Sequence, residues 1–348
     1  MAAAIGEMKG SGKHGAMAWR KPIVPRASCA YDGPKPARKP NLKPNAIILC
    51  CTANWLPYAA ATLLSCVQQG ASDVADLHVA VLDANAGDHE NFANFTQSHG
   101  FAARLLDAAL PSELAAFPAL RFSSAALLRL KLDEILPPTY KRVLYLDCDI
   151  LAESHVADIF SADLGGKALG AVEDYQSLPG PLALLSSHTQ AIGLGKNAPY
   201  FNSGVLLFDW PQTCAGKYLP HCMARITETL RANQGLKLPD QDMLNLEFAD
   251  HWQRLDLRFN LMAFFVDYFP APSVFRHFSN RQKPWGKLWQ PGFKRYRKFY
   301  RDTFATSPWP DYAPGPYMRP SIEGTLGIAL RNLDPISGHR YRKHLERV

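Results

Sequence analysis

Two short runs, AIILCC at residues 46–51 and LHVAVL at 77–82, are apolar on both alternating faces apart from His78. A strand of that kind has to be covered on both sides, as inside a helix-flanked parallel sheet and unlike an exposed hairpin. Between the two runs, Asn54 and Pro57 mark a loop and a helix start, and an apolar helix is predicted through Val67. The second run ends at Asp83, with Asn85 and Gly87 as turn signals. Strand, helix, strand is the opening βαβ unit of a parallel sheet, so the predicted fold class is α/β.

The rest of the chain continues this pattern. A weaker strand is predicted near residues 102–106. From Ser123 or Ser124 to Leu136 the sequence reads as a serine-capped helix with Leu128, Leu132, Ile135 and Leu136 on one face, stopped by Pro137-Pro138. Residues 142–146 then form a buried strand that runs directly into Asp147-Cys148-Asp149, and further strands are expected at 168–172 and 203–208. No internal repeat or heptad pattern interrupts the series, so a single α/β domain beginning near Asn45 accounts for it. Upstream, Pro22, Pro25, Pro34, Pro36, Pro40 and Pro44 lie among scattered Gly and Lys without an apolar period, and residues 1–44 are expected to be a disordered, basic, proline-rich tail.

The chain carries 38 Lys and Arg against 31 Asp and Glu, a formal net charge of +7. Its distribution decides what that charge means: residues 1–44 carry +7, residues 45–285 carry −7 and residues 286–348 carry +7. A nucleic-acid-binding body concentrates positive charge where it meets phosphates, and this body has the opposite sign, so no nucleic-acid partner is expected. Basic ends on an acidic body suit an anionic membrane surface or simple solubility. Cys29, Cys50, Cys51, Cys66, Cys148, Cys214 and Cys222 include no CxxC pair and no metal-ligand spacing, which points to a reduced, cytosolic compartment. The N-terminus lacks the compact apolar core of a signal peptide. The most apolar stretch, residues 46–66, is broken by Thr52, Asn54 and Pro57, short of the roughly 20 apolar residues of a spanning helix. A cytoplasmic protein without a transmembrane segment is expected.

Four constellations carry candidate chemistry. Asp147 and Asp149 lie two apart at a strand end, where the strand period places both carboxylates on one side. Two converging carboxylates repel unless a cation sits between them, and oxygen ligands of this kind suit Mn²⁺ or Mg²⁺. The plainer alternative is a strand that ends in solvated polar residues, but the crevice outside the carboxyl ends of strands is where α/β sheets bind ligands. The segment from His277 to Lys283, Pro284 and Trp285 places an imidazole and an ammonium in a proline-bounded loop, suited respectively to Mn²⁺ and to phosphate. Tyr200-Phe-Asn-Ser-Gly204 enters an apolar run, with Asn202 as donor and acceptor and Gly204 permitting close approach. Pro239-Asp240-Gln241-Asp242 precedes an apolar run, where Asp240 or Asp242 serves either a ligand or a helix cap.

The ordered series Arg129-Leu-Lys-Leu, Leu144-Tyr-Leu-Asp147-Cys-Asp149, Asn202-Ser-Gly-Val, Asp240-Gln-Asp-Met-Leu-Asn245, Arg258-Phe-Asn260 and His277 to Lys283-Pro-Trp285 resembles glycosyltransferase family 8 over residues 46–285. This is the family of bacterial lipopolysaccharide galactosyl- and glucosyltransferases and of glycogenin. The resemblance implies a GT-A fold, a Rossmann-like mixed sheet flanked by helices, as one catalytic domain over residues 45–285 with a basic, aromatic extension at 286–348. It implies transfer of a hexose, glucose or galactose, from a UDP-sugar to a saccharide or glycolipid acceptor with retention of anomeric configuration. By position, Asp147, Asp149 and His277 would ligate Mn²⁺, and Lys283 would neutralise the departing diphosphate. Arg129 would contact the donor, unless it only pairs with Asp133 on a helix surface. Asn202, Asp240 and Gln241 would hold the transferred sugar, with Asp240 and Gln241 as the catalytic pair and Gln241 nearest the anomeric carbon. An amide is a poor nucleophile, so a front-face route is the working mechanism. Thr52 stands where the family often has an acidic residue that meets uracil, and Thr52 and Asn54 are the candidates for base recognition. Cys148 should point to the opposite face, into the core.

Beyond Trp285, residues 293–301 interleave Lys and Arg with Phe and Tyr, and Trp289 and Trp309 lie nearby. Peripheral contact with an anionic membrane through residues 286–310 is expected, against the alternative of an ordinary packed helix with a solvated basic face. Two other functions fit parts of the sequence: a phosphohydrolase using the Asp-x-Asp pair, and a non-catalytic sugar-nucleotide binder.

Overall fold

The computed structural model describes residues 42–115, 124–174, 186–195, 198–231, 238–262, 273–279, 283–287 and 291–316. Most of the basic tail, the Ser123 cap, Trp289 and residues 317–348 lie outside the described residues.

The central sheet has seven strands: β1 (Asn45–Thr52), β2 (Ala75–Leu82), β3 (Arg104–Asp107), β4 (Arg142–Leu146), β6 (Leu169–Glu173), β7 (Phe201–Asp209) and β8 (Trp252–Arg254), in the order β3-β2-β1-β4-β7-β6-β8. All run parallel except β7, which is antiparallel to both β4 and β6. The apolar runs of the sequence are the inner strands, and their alternation sorts them between two cores. Ile47, Leu49 and Cys51 of β1 join Leu144 and Leu146 of β4 on one face, under helices Leu56–Gln68 and Ala86–Ser98. Ala46, Ile48 and Cys50 join Val143 and Tyr145 on the other, under helices Tyr218–Arg231 and Pro239–Glu247. The result is a three-layer α/β/α sandwich, which is why both faces of these strands had to be apolar.

A second sheet of three short strands, β5 (Ile150–Ala152), β9 (Leu261–Met262) and β10 (Phe275–His277), has the order β5-β10-β9. Antiparallel pairing sets His277 opposite Ile150, and Phe278 N–H donates to Asp149 O at 2.9 Å. His277 is therefore the last residue of a strand, where the sequence suggested a loop. Helix Lys294–Ala305 packs Tyr296, Phe299, Tyr300 and Phe304 inward, together with Phe293, on Ala61, Leu151 and Phe278.

Three local expectations differ from the structure. Residues 124–131 wind as a 3₁₀ helix, and only Leu132–Ile135 are α-helical before Leu136 turns extended. The expected apolar face persists, since Leu128, Leu132 and Leu136 share one core with Ile135 packed against it, while the buried Arg129 bonds to Ala126 O and Ser203 O, each at 2.9 Å. β4 stops at Leu146 and Asp147-Cys148-Asp149 forms the turn into β5, with Asp147 N–H making the last bond of the β4–β7 register, to Gly204 O at 2.9 Å. Neither Asp240 nor Asp242 caps its helix: Leu238 is the N-cap, and both acids lie in the buried first turn.

Candidate functional site

The Asp147-Cys148-Asp149 turn is held from below by helix Leu56–Gln68. Thr62 Oγ1 bonds to the carbonyls of Cys148 and Ile150 at 3.0 and 2.8 Å, and Ala152 N–H donates to Ser65 Oγ at 3.0 Å. Cys148 is buried in the core as expected, its thiol 3.5 Å from Cys50 O. With the thiol pointing inward, the flanking carboxylates turn the other way. His277 Nε2 lies 3.3 Å from Asp149 Oδ1 and 3.7 Å from Asp147 Oδ2. One ligand atom from each of Asp147, Asp149 and His277 falls within 4.8 Å of the others. Adjacent ligands of a small octahedral cation lie about 3 Å apart, and two carboxylate oxygens with one imidazole nitrogen form a donor set for Mn²⁺ or Mg²⁺. Gly204 floors this cradle: a Cβ there would fall 2.2 Å from His277 Cε1 and 2.9 Å from Asp147 Oδ2. The residues therefore fit a divalent cation.

Charge around the trio is balanced by two cations, the buried Arg129 and the partly buried Lys283. Lys283 Nζ donates to Asp149 Oδ2 and to Phe278 O, each at 2.5 Å. Burial raises the Asp149 pKa, but the nearby Lys283 ammonium and His277 ring outweigh it and hold this carboxyl well below the usual range. Arg129 is buried, and its Nη2 donates to Asp147 Oδ1 at 2.9 Å while Nη1 meets Ser203 O at 2.9 Å and Asp240 Oδ2 at 3.2 Å. Burial opposes the Arg129 charge, and Asp147, Tyr145 and Asp240 more than restore it. Tyr145 OH also donates to Asp147 Oδ1, at 2.7 Å, so that oxygen is held from two sides. Asp240 is shifted upward by burial, with the Asp147 charge adding and Arg129 opposing.

Helix Pro239–Glu247 presents Asp240 and Gln241 from its first turn, and Asn245 ties it to β7 through both backbone groups of Phe201 at 2.8 and 2.9 Å. Gln241 Oε1 accepts from Ser203 N–H at 2.9 Å, while Nε2 lies 3.4 Å from Asp174 Oδ2. Asn202 is committed on both sides of its amide: Oδ1 accepts from Gly204 N–H at 3.0 Å and from Asn260 Nδ2 at 2.9 Å, and Nδ2 donates to Asp174 Oδ2 at 3.1 Å. Thr52 and Asn54 are joined side chain to side chain where β1 ends, and Tyr312 OH donates to Asn54 O at 3.2 Å.

The structure thus gathers Arg129, Asp147, Asp149, Asn202, Asp240, Gln241, His277 and Lys283 around one centre, with Thr52 and Asn54 bonded to each other at the carboxyl end of neighbouring β1. Sequence reasoning missed Asp174, Ser203 and Tyr145 and gave Asn260 no role. Asp174 had a usable signal, since it directly follows β6 as Asp147 follows β4. Ser203 acts through its hydroxyl, which accepts from Arg129 Nη1 at 2.9 Å, and through its backbone, and a lone serine beside a strand gives no sequence signal of either.

A helix-flanked, mostly parallel sheet of this kind is the GT-A fold of glycosyltransferases. It superposes on the crystal structure of the galactosyltransferase LgtC in complex with donor and acceptor sugar analogs with a TM-score of 0.60 at 22% identity, covering 73% of this chain and 94% of that one. The family model for glycosyl transferase family 8 matches residues 46–288, and the chain belongs to that family. Among its relatives, glycosyltransferase GlyF of Streptococcus pneumoniae serotype 4 is 30% identical over 172 residues, 46% of this chain and 38% of GlyF. The lipopolysaccharide 1,2-glucosyltransferase of Escherichia coli K12 is 23% identical over 205 residues, 56% of this chain and 57% of that enzyme. The match thus spans well under two thirds of either relative. Among the described residues no helix is long and apolar enough to cross a membrane.

Proposed function

We propose that the protein is a retaining, Mn²⁺-dependent hexosyltransferase that moves glucose or galactose from a UDP-sugar to a saccharide or glycolipid acceptor, in the synthesis of lipopolysaccharide or another surface glycan. The observation that carries this reading is the convergence of Asp147, Asp149 and His277 within 4.8 Å beside Lys283. The glucosyltransferase and galactosyltransferase names among its relatives support the choice of hexose.

Mn²⁺ bound by this trio would offset the negative charge that builds on the departing diphosphate. Lys283, a compact point charge on a flexible stem, would exchange Asp149 for a phosphate oxygen. Arg129 spans Asp147 and Asp240, so a metal ligand and a sugar-side carboxylate keep a fixed spacing. Asp240 and Gln241 would hold the hexose. The Gln241 carbonyl is oriented by Ser203 N–H, and since an amide attacks poorly, this favours a front-face route in which acceptor attack and UDP departure share one side. Thr52 and Asn54 would meet the base. We place the enzyme in the cytoplasm, at the membrane face. The exposed Lys294, Arg295, Lys298 and Arg301 supply the contact by charge, because the aromatic side chains of the same helix are packed inward.

The test is UDP release from a panel of UDP-sugars without acceptor, with Mn²⁺ or EDTA, for wild type and Asp149→Ala. Slow release from one donor, dependent on Mn²⁺ and lost in the variant, is expected. If no donor is hydrolysed and calorimetry detects no binding of UDP with Mn²⁺, the reading is wrong.

A further inference from the structure

Asn260 is fully buried and touches His277 on one side and Asn202 on the other. An amide can be read in two orientations, and a neutral histidine carries its proton on either nitrogen, so hydrogen-bond logic has to assign both. Here the logic has fixed ends. A backbone N–H can only donate, so the Asn202 atom 3.0 Å from Gly204 N is its oxygen. The other end of that amide then carries the NH₂ group, which meets a carboxylate oxygen of Asp174 at 3.1 Å. With Asn202 oriented, the Asn260 atom 2.9 Å from Asn202 Oδ1 has to be its NH₂, since two carbonyl oxygens at that distance would repel. The Asn260 oxygen therefore faces His277 Nδ1 at 2.9 Å, and an oxygen without a proton needs a donor there.

We infer that Asn260 is a positioning residue for the metal site: Gly204 N–H and Asp174, acting through the amides of Asn202 and Asn260, keep the His277 proton on Nδ1 and present the Nε2 lone pair to the cation. The inference rests on the metal reading of the Asp147, Asp149 and His277 trio. It goes beyond it by naming what selects the ligating nitrogen. The ring is also fixed by packing, because His277 is buried and lies where Gly204 has no side chain to displace it. Partners of this kind typically change metal affinity by 10- to 100-fold when removed.

Two measurements test this. In metal-free wild type labelled on its histidine nitrogens, the proton–nitrogen correlation of His277, recognised by its loss in His277→Gln, should show a protonated Nδ1 and an unprotonated Nε2 when the ring is neutral. A protonated Nε2 overturns the inference without any variant or metal. Mn²⁺ binding is then followed by electron paramagnetic resonance. Asn260→Ala should bind about 10- to 100-fold more weakly, and Asn260→Asp should fall between it and wild type, since it keeps an oxygen for Nδ1–H but sets a second oxygen against Asn202 Oδ1. Asn260→Ala binding as tightly as wild type, or Asn260→Asp as weakly as Asn260→Ala, counts against the inference. If Asn260→Ala fails to fold by circular dichroism, the wild-type spectrum and Asn260→Asp decide. A wild type that binds no Mn²⁺ removes the metal reading itself, an outcome separate from the tautomer result.

Discussion

Gly204 shows how much of the site a single residue can decide. Its N–H donates to Asn202 Oδ1, its carbonyl accepts from Asp147 N–H, and its missing side chain leaves the space in which His277 and Asp147 approach each other. In Gly204→Ala the new methyl would begin 2.2 Å from His277 Cε1, in a place where neither the buried ring nor the paired strand can retreat. The variant should lose about 1–3 kcal/mol of stability in urea unfolding and bind Mn²⁺ at least about tenfold more weakly. Wild-type Mn²⁺ affinity in the variant would show that the glycine serves the strand and not the cradle. At this scale the sequence was legible where chemistry and position coincide. Asp147 and Asp149 stand out because two carboxylates end an apolar run. Asn260 does not, because a buried Asn looks like any turn residue until its partners, distant in sequence, are in place.

Among the elements, the long inner strands were readable because they are apolar on both faces, and β1, β2, β4 and β7 lie where the sequence put them. The second sheet was not, since strands of two or three residues have no period to detect, and β10 carries the buried Arg276 and His277 within its three positions. β2 also contains the one polar side chain in its apolar run, His78, whose Nε2 meets Tyr140 OH at 3.0 Å. Burial, aided by Arg104 and opposed by Asp76, lowers the His78 pKa from 6.5 to about 4. Between those values the unfolded chain binds the proton and the folded one does not, so stability falls as pH drops through the window and is fully present above it. The loss amounts to at most about 3 kcal/mol at about 1.4 kcal/mol per pH unit. Urea unfolding of wild type and His78→Gln from pH 7 to pH 4 should show that much extra loss in wild type; parallel curves would mean that His78 gains its proton without disturbing the fold.

At the scale of the whole molecule, the site depends on a helix that supplies none of its ligands. Composition separates the basic, aromatic stretch after residue 285 from the acidic body, but charge reports which residues meet solvent and not which core the others cover. Lys294, Lys298 and Arg301 face outward, while Tyr296, Tyr300 and Phe304 complete a core with Leu151 and Phe278, neighbours of Asp149 along the chain and across the sheet. Glu153 fastens this helix to the body. Its Oε2 accepts from Ser273 Oγ at 2.5 Å and from Arg276 Nε and Nη2 at 2.9 and 2.8 Å, and its Oε1 accepts from Arg295 Nη2 at 2.7 Å and Tyr296 OH at 2.8 Å. Replacing one partner of a buried ion pair strands the other charge. Arg276, with a side chain 1% exposed, would bear that cost in Glu153→Gln, whereas the Arg295 side chain, 57% exposed, is screened by water. The expected destabilisation is about 3 kcal/mol in chemical unfolding, against about 1–2 kcal/mol for Tyr296→Phe, which removes the hydroxyl's bonds to Glu153 and Arg295 but no charge. Because Leu151 and Phe278 lose part of their cover when the helix loosens, Glu153→Gln should also weaken Mn²⁺ binding in the folded protein, although Glu153 contacts no ligand of the trio. Unchanged stability in Glu153→Gln would show that the aromatic core alone holds the helix in place.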